Sequence, residues 1–370
     1  MLWILFLSLL ILVYTYVGYP LLIAFLARCC PLGLKPRQGH TPSVSVLIPV
    51  YNGQDFIRGK IESLLQQDYP GHKLEILLCS DASDDQSDAI LRESERNYPD
   101  QVRVFYMEQR SGKPAILNRL RKEARGEVLL LTDIRQPLKQ DCVSKLVARL
   151  EIPGVGVVGG MLLLRGSTGA GLYWRYERWI RQSESDFRSV TGVSGSLYVI
   201  AAEDMQDMPE DIILDDVWVP SVQRLRKHRV VLEPEAVAWD EAMEDGREFG
   251  RKVRTLAGNY QLMARLPALL SPWHNPSWFE FFSHKLMRLV CPWALLTLFV
   301  SNLLLLFQEP GRGFILLELL MAGQVVFYVL ALLGERAGAL GRLARTFVVL
   351  NIAAVVGLWR YLSGRQKIAW

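Results

Sequence analysis

The chain of 370 residues is poor in the side chains from which several common kinds of site are built. Its five cysteines, Cys29, Cys30, Cys79, Cys142 and Cys291, form no CxxC pair and no Cys/His spacing suited to zinc, and nothing in their arrangement asks for disulfides. They read as small buried or membrane-edge thiols, with lipidation open to Cys29 and Cys30. The five histidines, His40, His72, His228, His274 and His284, stand in no nucleophile context, which argues against Ser/His/Asp hydrolysis. A Walker loop and a dinucleotide fingerprint are both missing. Net charge is only +4 and no polybasic arm occurs, so nucleic acid is not an expected partner.

Apolar residues are abundant, at 50% of the chain, and they gather at its two ends. Residues 2–27 are almost unbroken apolar and aromatic, long enough for a membrane span of about 20 residues. Arg28, Lys35, Arg37 and His40 follow, so an uncleaved anchor over 1–28 is expected, with the N-terminus outside and the next domain cytoplasmic. Three further apolar stretches lie at 289–307, 314–333 and 346–362, in a membrane domain (286–370) of two to three spans. The connector 334–345 carries Arg336, Arg342 and Arg345 against Glu335 and is expected to be cytoplasmic. A fourth crossing would put Arg365 and Lys367 outside, against the charge rule, and the last stretch holds Arg360; it either spans, lies in the interface or turns back. The aromatic-rich segment 266–285 suits an interfacial helix, with a buried core segment as the competing reading.

Between these ends, residues 41–265 have the pattern of an α/β domain. Short β-branched and apolar runs at 44–50, 74–79, 102–106 and 127–131 alternate with helical stretches, which predicts βαβ units on a mostly parallel sheet. Ligands of such sheets gather at the carboxyl ends of the strands. Tyr51-Asn52, Asp81, Asp84 and Asp133 stand at those ends, where a nucleotide is expected. Asp81 and Asp84 could otherwise be turn or capping residues, and Lys113 a surface lysine at a helix start.

The order SVLIPVYNG, LLCSDASDD, SGKPAILN, LLLTD, GVSGSLYVI, LDDVWVP, with apolar spans at both ends, resembles the membrane-bound family-2 glycosyltransferases, a group of polysaccharide synthases and ceramide-glucosyltransferase-like enzymes. The resemblance implies an α/β nucleotide-diphospho-sugar transferase (GT-A, Rossmann-like) domain with N- and C-terminal transmembrane helices. It also implies an inverting transfer of a sugar, by likeness from a UDP-sugar, to a lipid-linked or glycan acceptor. The expected setting is the cytoplasmic face of a bacterial inner membrane, with other envelope-assembly proteins as possible partners. Asp81 matches the family aspartate that binds uracil or ribose, with Pro49, Tyr51 and Asn52 on the same lip; Lys113 matches the family lysine near the diphosphate. Asp133 holds the first position of the DxD metal motif, which implies Mg²⁺ or Mn²⁺. The second carboxylate is replaced by Arg135, which could itself clamp phosphate.

Ser194 and Gly195 resemble the acceptor-side loop, a plain tight turn being the alternative. Asp215-Asp216 matches the acidic pair whose second member is the general base on the acceptor hydroxyl, with Asp215 orienting; an acidic cap on a helix at 217–226 is the competing reading. The processive QxxRW motif is represented only by Arg254, with Arg251 at the Gln position and Thr255 at the Trp; a basic amphipathic helix at the membrane is the alternative. These departures leave a second function open, a catalytically silent scaffold subunit of a polysaccharide assembly complex.

Overall fold

The computed structural model describes residues 1–33, 40–165, 172–241, 245–308 and 315–366. Among the described residues seven strands form one sheet: β1 (Val44–Val50), β2 (Leu74–Ser80), β3 (Val102–Tyr106), β4 (Val128–Leu131), β5 (Val155–Arg165), β6 (Tyr198–Ala201) and β7 (Arg229–Glu241). Their order is β3-β2-β1-β4-β6-β5-β7. β1 through β4 run parallel, as expected, whereas β6 runs antiparallel to both β4 and β5.

β1 is buried throughout because both faces of the sheet are covered. Val44, Val46 and Ile48 point to one layer of core and Leu47 to the other, the period of two that an extended chain imposes. Helices Ile57–Leu65, Ser87–Asn97 and Cys142–Leu150 cover the first face; Lys113–Glu123 and Asp215–Leu225 cover the second. The reversal of β6 brings another loop to the site. Leu131 pairs with Tyr198, so the residues before Tyr198 lie at the edge to which the residues after Leu131 emerge. Thr132 Oγ1 donates to the carbonyl of Ser196 at 2.6 Å across that junction.

Among the described residues three helical segments, Leu2–Cys29, Trp278–Gln308 and Ile315–Leu362, are long and apolar enough to cross a membrane. The third bends at Gly334 and Gly338, both at positive φ, into helices Ile315–Leu333 and Gly338–Leu362. The last helix packs along helix Asp245–Arg265, with Gly357 so close that a Cβ there would lie 2.9 Å from the Ala257 amide nitrogen. Within 266–285, expected as an interfacial helix, the backbone is not one helix: it is a short turn of helix at Pro267–Leu270, an irregular stretch, and then a helix from Trp278 that runs on into the long apolar segment. Pro272 and Pro276 account for the break, since proline carries no amide hydrogen and restrains its predecessor. Lys35, Arg37 and Lys367 lie outside the described residues.

Gly160 supports the placement of the β6 loop. Its amide donates to the Leu197 carbonyl at 2.9 Å, and a Cβ there would come within 2.4 Å of Leu197 Cδ2 and 2.8 Å of the Ala236 carbonyl. Gly160→Ala is therefore expected to destabilise the domain by about 1–3 kcal/mol through overpacking. A lower thermal midpoint in detergent is the expected readout; an unchanged one would mean that the strands separate freely.

Candidate active site

The loops after β1, β2 and β4 form one lip, and their backbone is pinned by side chains. Asp81 at the end of β2 is fully buried, and its two oxygens accept the backbone N–H groups of Ser111 (2.7 Å) and Gly112 (3.0 Å). Those bonds anchor the turn that launches helix Lys113–Glu123, with Gly112 at φ 86° and Pro114 in the first turn. Asn52 and Ala82 occupy the left-handed region, at φ 47° and 52°. For alanine this costs on the order of 1 kcal/mol and needs outside support. The support is local: Asp81 N–H donates to Val50 O at 2.8 Å and Asp84 N–H to Asn52 Oδ1 at 3.1 Å. Pro49 is buried in β1, Tyr51 lies on the lip with Arg110 over its ring at 3.7 Å, and Asp84 is exposed.

Lys113 is the centre of charge. Its Nζ lies 2.8 Å from Asp133 Oδ1 and 3.2 Å from Asp215 Oδ2. Burial opposes its charge, yet Asp133 and Asp215 outweigh that and hold the ammonium well above the usual lysine range. Asp216 is the third carboxylate. Its Oδ2 accepts the Gly195 N–H at 3.1 Å, and its own carbonyl accepts the Val193 N–H at 3.0 Å. Burial and then neighbouring Asp215 push Asp216 up to about 6, against the pull of Lys113 and Lys285. The helix carrying the pair starts at Asp215, with no side-chain bond capping it at Leu214, so the capping reading for residues before 217 is corrected. Both carboxylates lie in the first turn, where the helix dipole favours negative charge.

Ser194 Oγ shares a 2.7 Å hydrogen bond with Ser196 Oγ, and Gly195 lies against both Lys113 Nζ and Asp216. The structure thus brings Lys113, Asp133, Ser194, Gly195, Asp215 and Asp216 together. Arg135 is engaged elsewhere: its Nη2 sits 3.3 Å from Asp240 Oδ1 and its guanidinium over the Phe56 ring. On helix Asp245–Arg265, Arg251 is exposed, while Arg254 keeps a buried Nε with no hydrogen-bond partner among the described residues.

Two neighbours were not expected from the sequence. The Tyr198 hydroxyl donates to Asp215 Oδ2 at 3.5 Å from the start of β6. Lys60 is buried, with Nζ donating to Thr132 Oγ1 (2.7 Å) and Gln136 O (2.5 Å) behind Asp133. The signal for Lys60 was in its spacing: it stands on the apolar stripe of Ile57, Ile61 and Leu64.

Among the described residues no group of three metal-ligating side chains converges. Asp133 is nevertheless a hard oxygen donor with an open side, and magnesium-like ions are commonly held by one or two carboxylates with the rest of the shell from phosphate and water. The donor set fits such an ion in that shared manner, with Asp133 as the protein ligand.

The family model described as Glycosyl transferase family 2 matches residues 45–198, the stretch that runs from β1 to the start of β6. The chain carries a family 2 glycosyltransferase domain. The fold of this GT-A domain and its flanking helices is that of a mannosyltransferase from Pyrobaculum calidifontis, solved in complex with GDP-Man and Mn²⁺. The two match with a TM-score of 0.78 at 21% identity, over 97% of this chain and 99% of that one. Among curated proteins, glycosyltransferase AglE of Haloferax volcanii is 26% identical over 171 residues, 46% of this chain and 55% of its own length. The poly-beta-1,6-N-acetyl-D-glucosamine synthase of Staphylococcus epidermidis is 23% identical over 243 residues, 63% and 58% of the two chains. The chain thus spans about half the length of the curated relatives it matches.

Lys60 makes this glycosyltransferase domain pH-sensitive in a defined direction. Burial pushes its ammonium down to about 7, against the pull of Asp133. Between that value and its ordinary value of about 10.4 the unfolded chain holds the extra proton, so Lys60 makes stability rise with pH over this interval, by at most about 1.4 kcal/mol per unit. Lys60→Met should lack the rise. Unfolding midpoints at about pH 7 and about pH 9 should move further in the native chain than in the variant; parallel movement would refute a perturbed Lys60.

Proposed function

We propose that this chain is an inverting glycosyltransferase that moves a sugar from a nucleoside diphosphate sugar to an acceptor presented at a membrane surface, in the synthesis of a polysaccharide, an envelope glycan or a glycolipid. The observation that carries the proposal is the pairing of Lys113 with Asp133 beside Asp216, a cation at a strand-end lip next to a carboxylate whose affinity for protons is raised. The donor nucleotide lies along Pro49, Tyr51, Asn52 and the turn held by Asp81, with Lys113 against the diphosphate. UDP is the carrier by family likeness; the Pyrobaculum protein was solved with GDP-Man, so both nucleotides belong in a test. Arg254, with its unpaired Nε, is a second diphosphate contact; Arg135, held by Asp240, contributes by shaping the loop.

Asp216 takes the proton of the acceptor hydroxyl as that oxygen attacks the anomeric carbon and the bond to the diphosphate breaks. The attack comes from the face opposite the leaving group, which inverts the centre. Gly195 N–H holds the carboxylate in place, and Ser194 and Gly195 leave room for the acceptor sugar or headgroup. A divalent cation bound at Asp133 would supply charge neutralisation to the leaving diphosphate. The sheet domain (41–265) is cytoplasmic, and the chain is anchored by its N-terminal segment (1–28) and its C-terminal domain (286–370).

Purified protein in detergent, given a panel of UDP- and GDP-sugars with acceptor lipids, should release nucleotide from one donor. Chelation with EDTA should abolish that turnover, whereas turnover that survives chelation would remove the metal from Asp133. Asp216→Asn should lower kcat by roughly 10²–10⁴-fold with donor affinity unchanged. Because a protonated Asp216 cannot accept a proton, kcat of the native chain should fall about tenfold per unit below about pH 6. Full activity in the Asn variant would remove the assigned base. Silence with every donor and lipid would favour the scaffold reading, which the missing second DxD carboxylate supports.

A further inference from the structure

Arg181 takes no part in the transfer chemistry, yet it holds the loop to which the assigned base is tied. It lies on helix Leu172–Phe187, and its Nη2 donates to the Gly192 carbonyl at 2.8 Å. The residues that follow Gly192 bond to Asp216 twice. The Val193 N–H donates to the Asp216 carbonyl at 3.0 Å, and the Gly195 N–H donates to Asp216 Oδ2 at 3.1 Å. Space is tight at this junction, since a Cβ on Gly192 would stand 3.3 Å from Val217 Cγ2 and 3.6 Å from the Asp216 carbonyl oxygen. A shift of the guanidinium is therefore passed to the loop, and from the loop to the carboxylate.

The same helix is fixed to two of the long apolar segments. Tyr176, Glu177, Ile180 and Glu184 recur at helical spacing and share one side of it. Glu184 Oε1 accepts from the hydroxyl of Tyr19, in the segment Leu2–Cys29, and is bonded to the ring of His284, in the segment Trp278–Gln308, each at 2.6 Å. Glu177 is bonded to the other ring nitrogen of His284 at 3.3 Å and is paired with Arg288. The Tyr176 hydroxyl donates to the Tyr16 carbonyl at 2.7 Å. Tyr19, Glu184 and His284 are all buried. Apolar contact is non-directional and lets helices slide or turn against each other, whereas hydrogen bonds among buried charged groups are met in one register only. Arg181 stands between Glu177 and Glu184, about one helical turn from each. We infer that helix Leu172–Phe187 is a strut through which the seating of these two apolar segments sets the place of Asp216, with Arg181 as the positioning residue. The inference rests on the reading of Asp216 as the acceptor-side base. A catalytic group must be held to within about 0.5 Å of its working place, and a directional chain of bonds supplies that where a loop alone would not.

The test compares the full chain in neutral detergent with Arg181→Gln, Arg181→Lys, Tyr19→Phe and the double variant of Arg181→Gln with Tyr19→Phe. Amide hydrogen exchange is read in residues 190–197 and, as a reference, in β2. Arg181→Gln and Tyr19→Phe should each speed exchange at 190–197 by at least about threefold and leave β2 unchanged, and the double variant should add little to the larger single effect. Nucleotide release from the donor that the native chain turns over is measured on the same samples. Both single variants should lower kcat by about tenfold or more, with the affinity for UDP and GDP by calorimetry unchanged, and Arg181→Lys should keep most of the rate. Unchanged exchange at 190–197, or a rise shared equally by β2, would overturn the strut. Additive effects in the double variant would separate Tyr19 from Arg181 and overturn the link to the apolar segments. Faster exchange with full kcat would overturn the positioning of the base. Faster exchange confined to the loop, in a chain that turns over no donor, would keep the strut and count against the transferase reading instead.

Discussion

Asp133 and the adjacent pair Asp215 and Asp216 come from two separate parts of the chain to one small volume, and an ammonium from a third, Lys113, makes their meeting possible. Like charges at such separations in a partly buried place would drive the loops apart or force protons onto the acids. The lysine stabilises Asp133 and Asp215 as anions and leaves Asp216, farther from the cation and next to a like charge, with a raised proton affinity. Geometry thus divides similar carboxylates between roles. One turns toward the lip, one is held by the lysine and the Tyr198 hydroxyl, and one is poised to take a proton.

That arrangement depends in turn on backbone that the sheet alone would not hold. Asp81 spends its charge on two amides of the turn before Lys113, so the end of β2 sets where the ammonium stands. Asn52 and Ala82 accept left-handed conformations because the loops after β1 and β2 bond to one another. The antiparallel β6 completes the enclosure by carrying Ser194–Ser196 to the edge from which Asp133 emerges. Below it, Lys60 ties Thr132 to Gln136 from inside the core.

The long apolar helices are joined to this machinery rather than appended to it. Tyr19 of the first apolar segment, Glu184 of the domain and His284 of the second segment share one buried hydrogen-bonded group. Lys285 follows His284 directly and donates from Nζ to Asn259 Oδ1 on helix Asp245–Arg265 at 3.4 Å. The last helix returns along Asp245–Arg265, which the small residues Gly357 and Ala257 permit by letting the backbones touch. The C-terminal helix is thus bound to a helix of the sheet domain just before Arg360.

By itself the sequence determined the apolar ends, the alternation of strands and helices, and the succession of acidic strand ends, because each is a local pattern of period two, period 3.6 or composition. It also marked Asp81, Lys113, Asp133, Asp215 and Asp216 through their places in motifs. What Asp81 does with its oxygens was not legible, since its partners lie 30 and 31 residues away. The reversal of β6 and the diversion of Arg135 to Asp240 at a separation of 105 residues were equally hidden. The tertiary structure decided these, because a charge acquires its partner and its proton affinity only when distant segments are packed at a few ångströms in a medium that screens them poorly.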